Sequence, residues 1–182
     1  QSSIFCINEM KPIVLVCGYR CHGKDHLVRN GLSEYVVLRK KKSPFNLPPS
    51  FKDVSCLKFA SHLKETVLPF IGYTTPENYE TDKDKVGLLP VEGTIREYLI
   101  GVAKVARDID PDFFVKMLLA SMKETSDVII TDWRYPNEYE FLRDKYEVIT
   151  IRVHRNGIAV PPLDVTSEHS LDNFETDFVV LP

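Results

Sequence analysis

Apolar positions along the chain alternate between short unbroken runs and stripes at helical spacing, and this alternation sets the expected order of elements. The run Ile13-Val14-Leu15-Val16 predicts a buried strand over 12–16, feeding through a glycine-containing turn into a helix over 24–35. Residues 54–60 predict a second strand, after which Ser61 stands where it would cap a helix through about Phe70. From Gly72 to Gly93 the pattern turns polar and breaker-rich, with Thr74, Thr75, Pro76 and Asp82-Lys83-Asp84-Lys85, which predicts a long loop. Thr94 and Glu97 have capping-box spacing ahead of Ile95, Tyr98, Leu99, Val102 and Ala106, a stripe at helical spacing. Asp110-Pro111 predicts a new N-cap and first helical residue before Phe113, Phe114, Met117 and Leu118. Val128-Ile129-Ile130 predicts a buried strand, Pro136 the start of another helix, and Val148 to Val153 and Phe178 to Leu181 the last two strands. Strands alternating with helices predict a three-layer α/β fold with a mostly parallel sheet.

Composition narrows the class. With 182 residues, 43% of them hydrophobic, the chain is long enough for one core, so a single domain over 1–182 is expected. A net charge of −3 argues against long nucleic acid as partner, since such proteins usually carry a basic excess, but it is compatible with a small anionic ligand. The run Arg39-Lys40-Lys41-Lys42, followed by Pro44, Pro48 and Pro49, reads as an exposed connection. No stretch approaches the ~20 apolar residues that cross a bilayer, and the N-terminal segment lacks a signal-like apolar core. Four cysteines, at 6, 17, 21 and 56, show no paired framework and point to a reducing, cytoplasmic compartment.

The chemistry concentrates in a few places. Gly18-Tyr19-Arg20-Cys21-His22-Gly23-Lys24, directly after the first strand, has the G-x-x-x-x-G-K spacing of a phosphate-binding loop. Gly18 and Gly23 permit conformations that turn successive N–H groups around an anion, and Lys24 and Arg20 add positive charge. Asp25 stands where Ser or Thr usually brings a hydroxyl to magnesium. Cys17, Cys21, His22 and His26 are all metal-ligand types, but their spacing does not suit a zinc site and Cys17 reads as core. After the strand Val128-Ile129-Ile130, Asp132 is a candidate for magnesium and Arg134 for a phosphoryl oxygen, the alternative being a turn-capping Asp132 and an Arg134–Glu138 pair. Arg96 and Arg107 lie eleven residues apart, about three helical turns, and project from one flank; a phosphate clamp and two surface arginines are both open readings. Arg152 and Arg155 precede a Gly157, Pro161-Pro162 segment, and Asp164 to Asp172 then brings Glu168 and His169, so a closing flap over about 152–172 is expected, able to exclude water.

Several separated segments together resemble the deoxynucleoside monophosphate kinases of bacteriophages and other large DNA viruses. Gly23-Lys24-Asp25 looks like that family's phosphate loop, in which Asp commonly follows Lys. Thr131-Asp132-Trp133-Arg134-Tyr135-Pro136-Asn137-Glu138 is similar to its T-D-x-R-x-x-N-E motif, and Ser167-Glu168-His169-Ser170-Leu171-Asp172 to its S-E-H-x-L-D motif. Asp177-Phe178-Val179-Val180 looks like its terminal strand, whereas His26 stands where the family often has Thr. Animal-type phosphomevalonate kinases share part of the likeness, at Gly23-Lys24-Asp25, Asp110-Pro111-x-Phe113-Phe114 and Ser167-Glu168…Leu171-Asp172-Asn173-Phe174, but typically have a more basic loop and paired arginines after the third-motif Asp.

The resemblance implies a P-loop NTPase/nucleoside monophosphate kinase-like fold and ATP-dependent phosphorylation of deoxynucleoside 5′-monophosphates. Phosphomevalonate is the rival acceptor, and a nucleotide-binding module without turnover the rival class. It implies that Gly18, Tyr19, Arg20, Cys21, His22, Gly23, Lys24, Asp25 and His26 bind ATP, with Asp25 and Asp132 organising Mg2+. Lys24, Asp25, Asp132, Arg134, Arg152 and Arg155 would serve catalysis. Lys64, Tyr73, Arg96, Arg107, Arg134, Glu138 and Glu168 would bind the acceptor, the acceptor region being about 61–110 with Tyr73 or Tyr79 available to stack on a base. Small nucleotides are the expected partners, with no long nucleic acid and no membrane; a homodimer is left open, and the compartment is the host cytoplasm if the chain is viral.

Overall fold

The computed structural model describes residues 12–41, 47, 51, 54–73, 76–86, 92–122, 127–162 and 166–181. Among the described residues the elements follow one another as β1 (Ile13–Cys17), α1 (Lys24–Asn30), β2 (Val36–Arg39), β3 (Ser55–Leu57), α2 (Ser61–Phe70), α3 (Pro76–Asp82), α4 (Ile95–Ile109), α5 (Phe113–Ser121), β4 (Val128–Ile130), α6 (Pro136–Arg143), β5 (Val148–Val153), α7 (Thr166–His169) and β6 (Phe178–Leu181). The chain divides into two compact units, 1–57 with 123–182 and 58–122. Among the described residues no helix is long and apolar enough to cross a membrane.

The first unit is built on a six-stranded sheet of order β2-β6-β5-β1-β4-β3. All pairings are parallel except β2 with β6, so the architecture is α/β and mostly parallel, compatible with a three-layer arrangement. β1 is buried at every position because it lies between β4 and β5, Ile13 facing Val128 on one side and Val148 on the other. Its β-branched residues suit a strand covered on both faces. Val14, Val16, Leu27, Phe51, Ile149, Ile151, Val153, Phe178 and Val180 form one apolar cluster around it. At the β5–β6 junction the buried Thr150 donates from its N–H and hydroxyl to Asp177 Oδ2, at 2.9 and 2.6 Å, and accepts from Asp177 N–H at 2.8 Å.

One expected helix end in this unit shifts. The first helix ends at Asn30 rather than at residue 35, because Gly31 adopts φ 75 and donates its N–H to Leu27 O at 2.9 Å. Residues 31–35 form a turn instead, and the chain then enters β2 at Val36, a strand that the sequence did not announce. Its apolar residues are followed by charge, and only pairing with β6 makes them a strand. Within the expected charged connection, Lys42, Pro44, Pro48 and Pro49 lie outside the described residues, as do Cys6 and Asp164.

The second unit gathers Leu68, Tyr79, Ile95 and Leu99 into its own core, with Leu63, Val67, Ile71 and Tyr73 packed against it. The expected long loop contains a helix, α3, since Pro76 suits a first helical position and Tyr79 is buried to 5% exposure in that core. Thr74, Thr75 and residues 87–91 of that stretch lie outside the described residues. α4 starts as expected, with Thr94 Oγ1 accepting from Glu97 N–H at 3.1 Å and Glu97 Oε2 accepting from Thr94 N–H at 2.7 Å. Ser61 is the first residue of α2 rather than its cap, which falls on Ala60. Asp110 likewise terminates α4 instead of capping α5: its carboxylate accepts from Asp112 N–H at 3.0 Å, forming the turn that delays α5 to Phe113.

Candidate functional site

In the first unit, three segments leave the sheet at one edge. β1, β4 and β5 run parallel, with Leu15 opposite Ile130 and Cys17 opposite Arg152. The glycine loop after Cys17, residues 131–135 after Ile130, and the segment after Val153 therefore emerge together at the strands' carboxyl ends, where open α/β sheets place ligand sites.

The loop's backbone is unusual in the way its sequence suggested. Gly18 has φ 138, and a β-carbon there would meet Val153 O at 2.4 Å, so no larger residue fits. Gly23 has φ 96 and Cys21 φ 66, the latter in a left-handed conformation that non-glycine residues rarely adopt. Positive φ values of this kind occur in loops whose backbone N–H groups gather around an anion. Lys24 is half-buried and folds back on the loop, its Nζ donating to Gly18 O at 2.6 Å and Tyr19 O at 2.9 Å. Burial lowers its pKa and the nearby positive charge of Arg134 adds to that, with Glu168 opposing.

His22 is buried to 1% exposure. Its Nδ1 accepts from Arg155 N–H at 3.2 Å, which places the ring proton on Nε2. Its ring meets Tyr19 and His154 edge-on at 5.3 and 5.5 Å. His26 Nδ1 lies 2.9 Å from the Tyr35 hydroxyl. Burial pushes the Cys17 thiol up to about 11, which keeps it protonated and a poor metal ligand. Asp25 and Cys21 are exposed, and Asp132 is half-buried after β4. Among the described residues no group of three or more His, Cys, Asp or Glu side chains is gathered as a metal site.

After β4, Trp133 is buried, donates from Nε1–H to Tyr135 O at 2.9 Å, and meets Phe174 edge-on at 4.8 Å. This contact holds residues 131–135 against the segment that follows α7. Glu138 is buried and caps α6, its Oε2 accepting from Arg134 N–H and Tyr135 N–H at 3.1 Å each. The expected Arg134–Glu138 contact is therefore made through the Arg134 backbone. The Arg134 guanidinium turns instead to Glu168 Oε1.

Glu168 is the centre of the cluster. Its other oxygen, Oε2, accepts from Arg20 N–H at 3.0 Å, directly on the glycine loop. Burial pushes its carboxyl up, but Arg134, the Arg20 N–H and Lys24 outweigh burial and hold it below the usual glutamate range. Neighbouring ties fasten α7 to the same loop: Tyr19 OH donates to Asp172 Oδ1 at 2.9 Å, and Tyr19 packs on the His169 ring at 5.4 Å. His169 faces acceptors at both nitrogens, Asp172 Oδ2 at 2.7 Å and Pro161 O at 3.0 Å, so only the imidazolium satisfies both. Tyr19, Arg134, Arg152 and Glu168 thus line one narrow cleft with Gly18 and Trp133.

No protein-family model matches the chain, and no curated protein is significantly similar to it.

The remaining expected residues fall elsewhere. Arg152, which the predicted strand over 148–153 and the expected flap over about 152–172 both include, belongs to β5, where its Nη2 donates to Leu171 O and to Phe174 O at 2.5 and 3.0 Å; strand pairing with Cys17 fixes it there. In the second unit, Lys64 pairs with Glu80 at 3.5 Å and lies over the Tyr79 ring at 4.7 Å, so that ring is packing. Arg96 forks onto Asp84, Nη2 to Oδ2 at 3.1 Å, and Arg107 lies over the Phe114 ring at 4.4 Å. Tyr73 OH donates to Asp82 Oδ2 at 3.2 Å. The sequence did not signal the Tyr19–Asp172 and Arg152–Leu171 ties; the S-E-H-x-L-D pattern marked their segment but not its position on the loop.

Proposed function

We propose that this chain is an ATP-dependent phosphotransferase that converts deoxynucleoside 5′-monophosphates to diphosphates, on a P-loop, nucleoside monophosphate kinase-like fold. The observation that carries the reading is that the Arg20 N–H and the Arg134 guanidinium converge on one carboxylate, with the Lys24 charge acting on it, beside a loop of phosphate-binding spacing. Such a donor set suits a phosphoryl group as well as a carboxylate. The motif likeness to viral deoxynucleoside monophosphate kinases supplies the acceptor.

In this reading the loop from Gly18 to Lys24 cradles the β- and γ-phosphates through its N–H groups. Lys24 leaves the Gly18 and Tyr19 carbonyls to reach them. The bond between the γ-phosphorus and the β–γ bridging oxygen breaks, and a bond forms from that phosphorus to an acceptor phosphate oxygen, leaving ADP. Arg134 and Arg152 neutralise the charge that spreads over the transferring group, and Glu138 keeps Arg134's backbone in place. Asp25 and Asp132 offer hard oxygen donors of the kind magnesium takes alongside phosphate oxygens and water, and they would hold it. When bound, the ion would screen phosphate charge. Lys64, Tyr73, Arg96 and Arg107 are the acceptor candidates of the second unit.

The test is ADP release with dTMP, dGMP, dCMP and phosphomevalonate, run beside Lys24→Ala. Turnover with one or more deoxynucleotides, reduced at least about 100-fold in Lys24→Ala with an unchanged melting curve, is expected. Turnover of phosphomevalonate alone would transfer the reading to that acceptor. ATP binding with no ADP release for any acceptor would make the chain a nucleotide-binding module.

A further inference from the structure

We propose that Glu168 is an internal anion seated where a phosphate group binds, and that α7 is a latch released when a polyphosphate enters. The inference rests on the phosphate-binding reading above.

The glycine loop is already engaged by an acid. One Glu168 oxygen takes the Arg20 N–H at 3.0 Å and the other takes the Arg134 guanidinium, and the side chain is only 9% exposed. A two-oxygen carboxylate here uses two of the donors that a phosphoryl group would use. Lys24 is also withdrawn, since it is spent on the Gly18 and Tyr19 carbonyls. The space left among Cys17, Gly18, Arg134, Arg152 and Glu168 is about 10 Å³, enough for about one water and too small for a phosphate. A phosphate can therefore take these donors only by replacing Glu168.

The latch is short enough to move. α7 has four residues and is joined to the loop by Glu168 and by the Tyr19–His169 ring contact, with Tyr19 OH on Asp172 just beyond its end. A triphosphate brings several negative charges to a cluster that Glu168 meets with one, so Arg134 and Lys24 gain by the exchange. The apparent affinity for phosphate is then lowered by the fraction of molecules in which Glu168 is seated. A different role, in which Glu168 only positions Arg134 for the ligand, predicts the opposite sign: removing its charge would weaken binding.

The experiment is calorimetric titration of inorganic tripolyphosphate, and separately of ATP, into the wild-type chain, Glu168→Gln and Lys24→Ala, with amide hydrogen exchange on the wild type. Glu168→Gln is expected to bind both ligands about tenfold more tightly. Tripolyphosphate is expected to speed exchange at residues 166–170 of the wild type. Unchanged or weaker binding by Glu168→Gln, or slower exchange at 166–170, overturns the latch. If the wild type and Glu168→Gln bind tripolyphosphate equally while Lys24→Ala does not, the phosphate-binding reading stands and the latch alone falls. No binding to the wild type or Glu168→Gln overturns both. Should Glu168→Gln fail to fold, the exchange measurement on the wild type decides the question by itself.

Discussion

At the scale of single residues, Gly18 is the most constrained position in the loop. Its φ of 138 is unfavourable for any other residue, and the added β-carbon would stand 2.4 Å from a backbone oxygen of β5 that cannot rotate away. Gly18→Ala is expected to destabilise the chain by about 3 kcal/mol or more, read as a lower urea midpoint at unchanged slope. A midpoint equal to wild type would mean that the loop and β5 are not in this contact. The need for glycine here was legible in the sequence, because a strand followed by G-x-x-x-x-G-K has a local conformational meaning. Which atom forbids a side chain was not, since Val153 is 135 positions away. His22 shows the same limit. Its residue type invited a metal reading, while its contacts with Arg155, Tyr19 and His154 place it in the packing under the loop.

At the scale of elements, α7 depends on two titratable ties whose pH limits run in opposite directions. Glu168 titrates below its ordinary value of 4.5 in the folded chain, so its contribution is complete above 4.5 and is lost as pH falls through the lowered folded value. His169 titrates above its ordinary 6.5, held up first by its hydrogen bond to Asp172 and then by Pro161. Its contribution is complete below 6.5 and is lost as pH rises through the raised folded value. Amide protection at 166–170, corrected for intrinsic exchange rates, is therefore expected to be greatest between pH 4.5 and 6.5, with His169→Gln removing only the alkaline decline. A profile flat on both sides would show that neither tie holds the segment. Elements that a local code defines, such as α4 with its capping box, were readable in advance. Those made by pairing or docking were not: β2 exists through β6, and α3 through the burial of Tyr79.

At the scale of the molecule, the first unit stands on β1 and β5, the two innermost strands of the sheet with the longest shared register. Ile151 is fully buried there and pairs with both Val16 and Phe178. Ile151→Ala is expected to cost about 2–5 kcal/mol in denaturant unfolding. A smaller loss would mean that the sheet can close around the missing atoms.

The sequence by itself determined the α/β class, the buried strands, the glycine loop and the arginine-bearing segments that follow β4 and β5. Each of these is written in neighbouring residues, through backbone preference and hydrophobic period. Only the tertiary structure decided that β2 runs antiparallel at the sheet edge, that the Arg152 guanidinium is held by the Leu171 and Phe174 carbonyls, and that Glu168 rests on the Arg20 N–H across 148 positions of chain. Those outcomes follow from strand pairing and the packing of Trp133 on Phe174, which join segments distant in sequence and which no local pattern encodes.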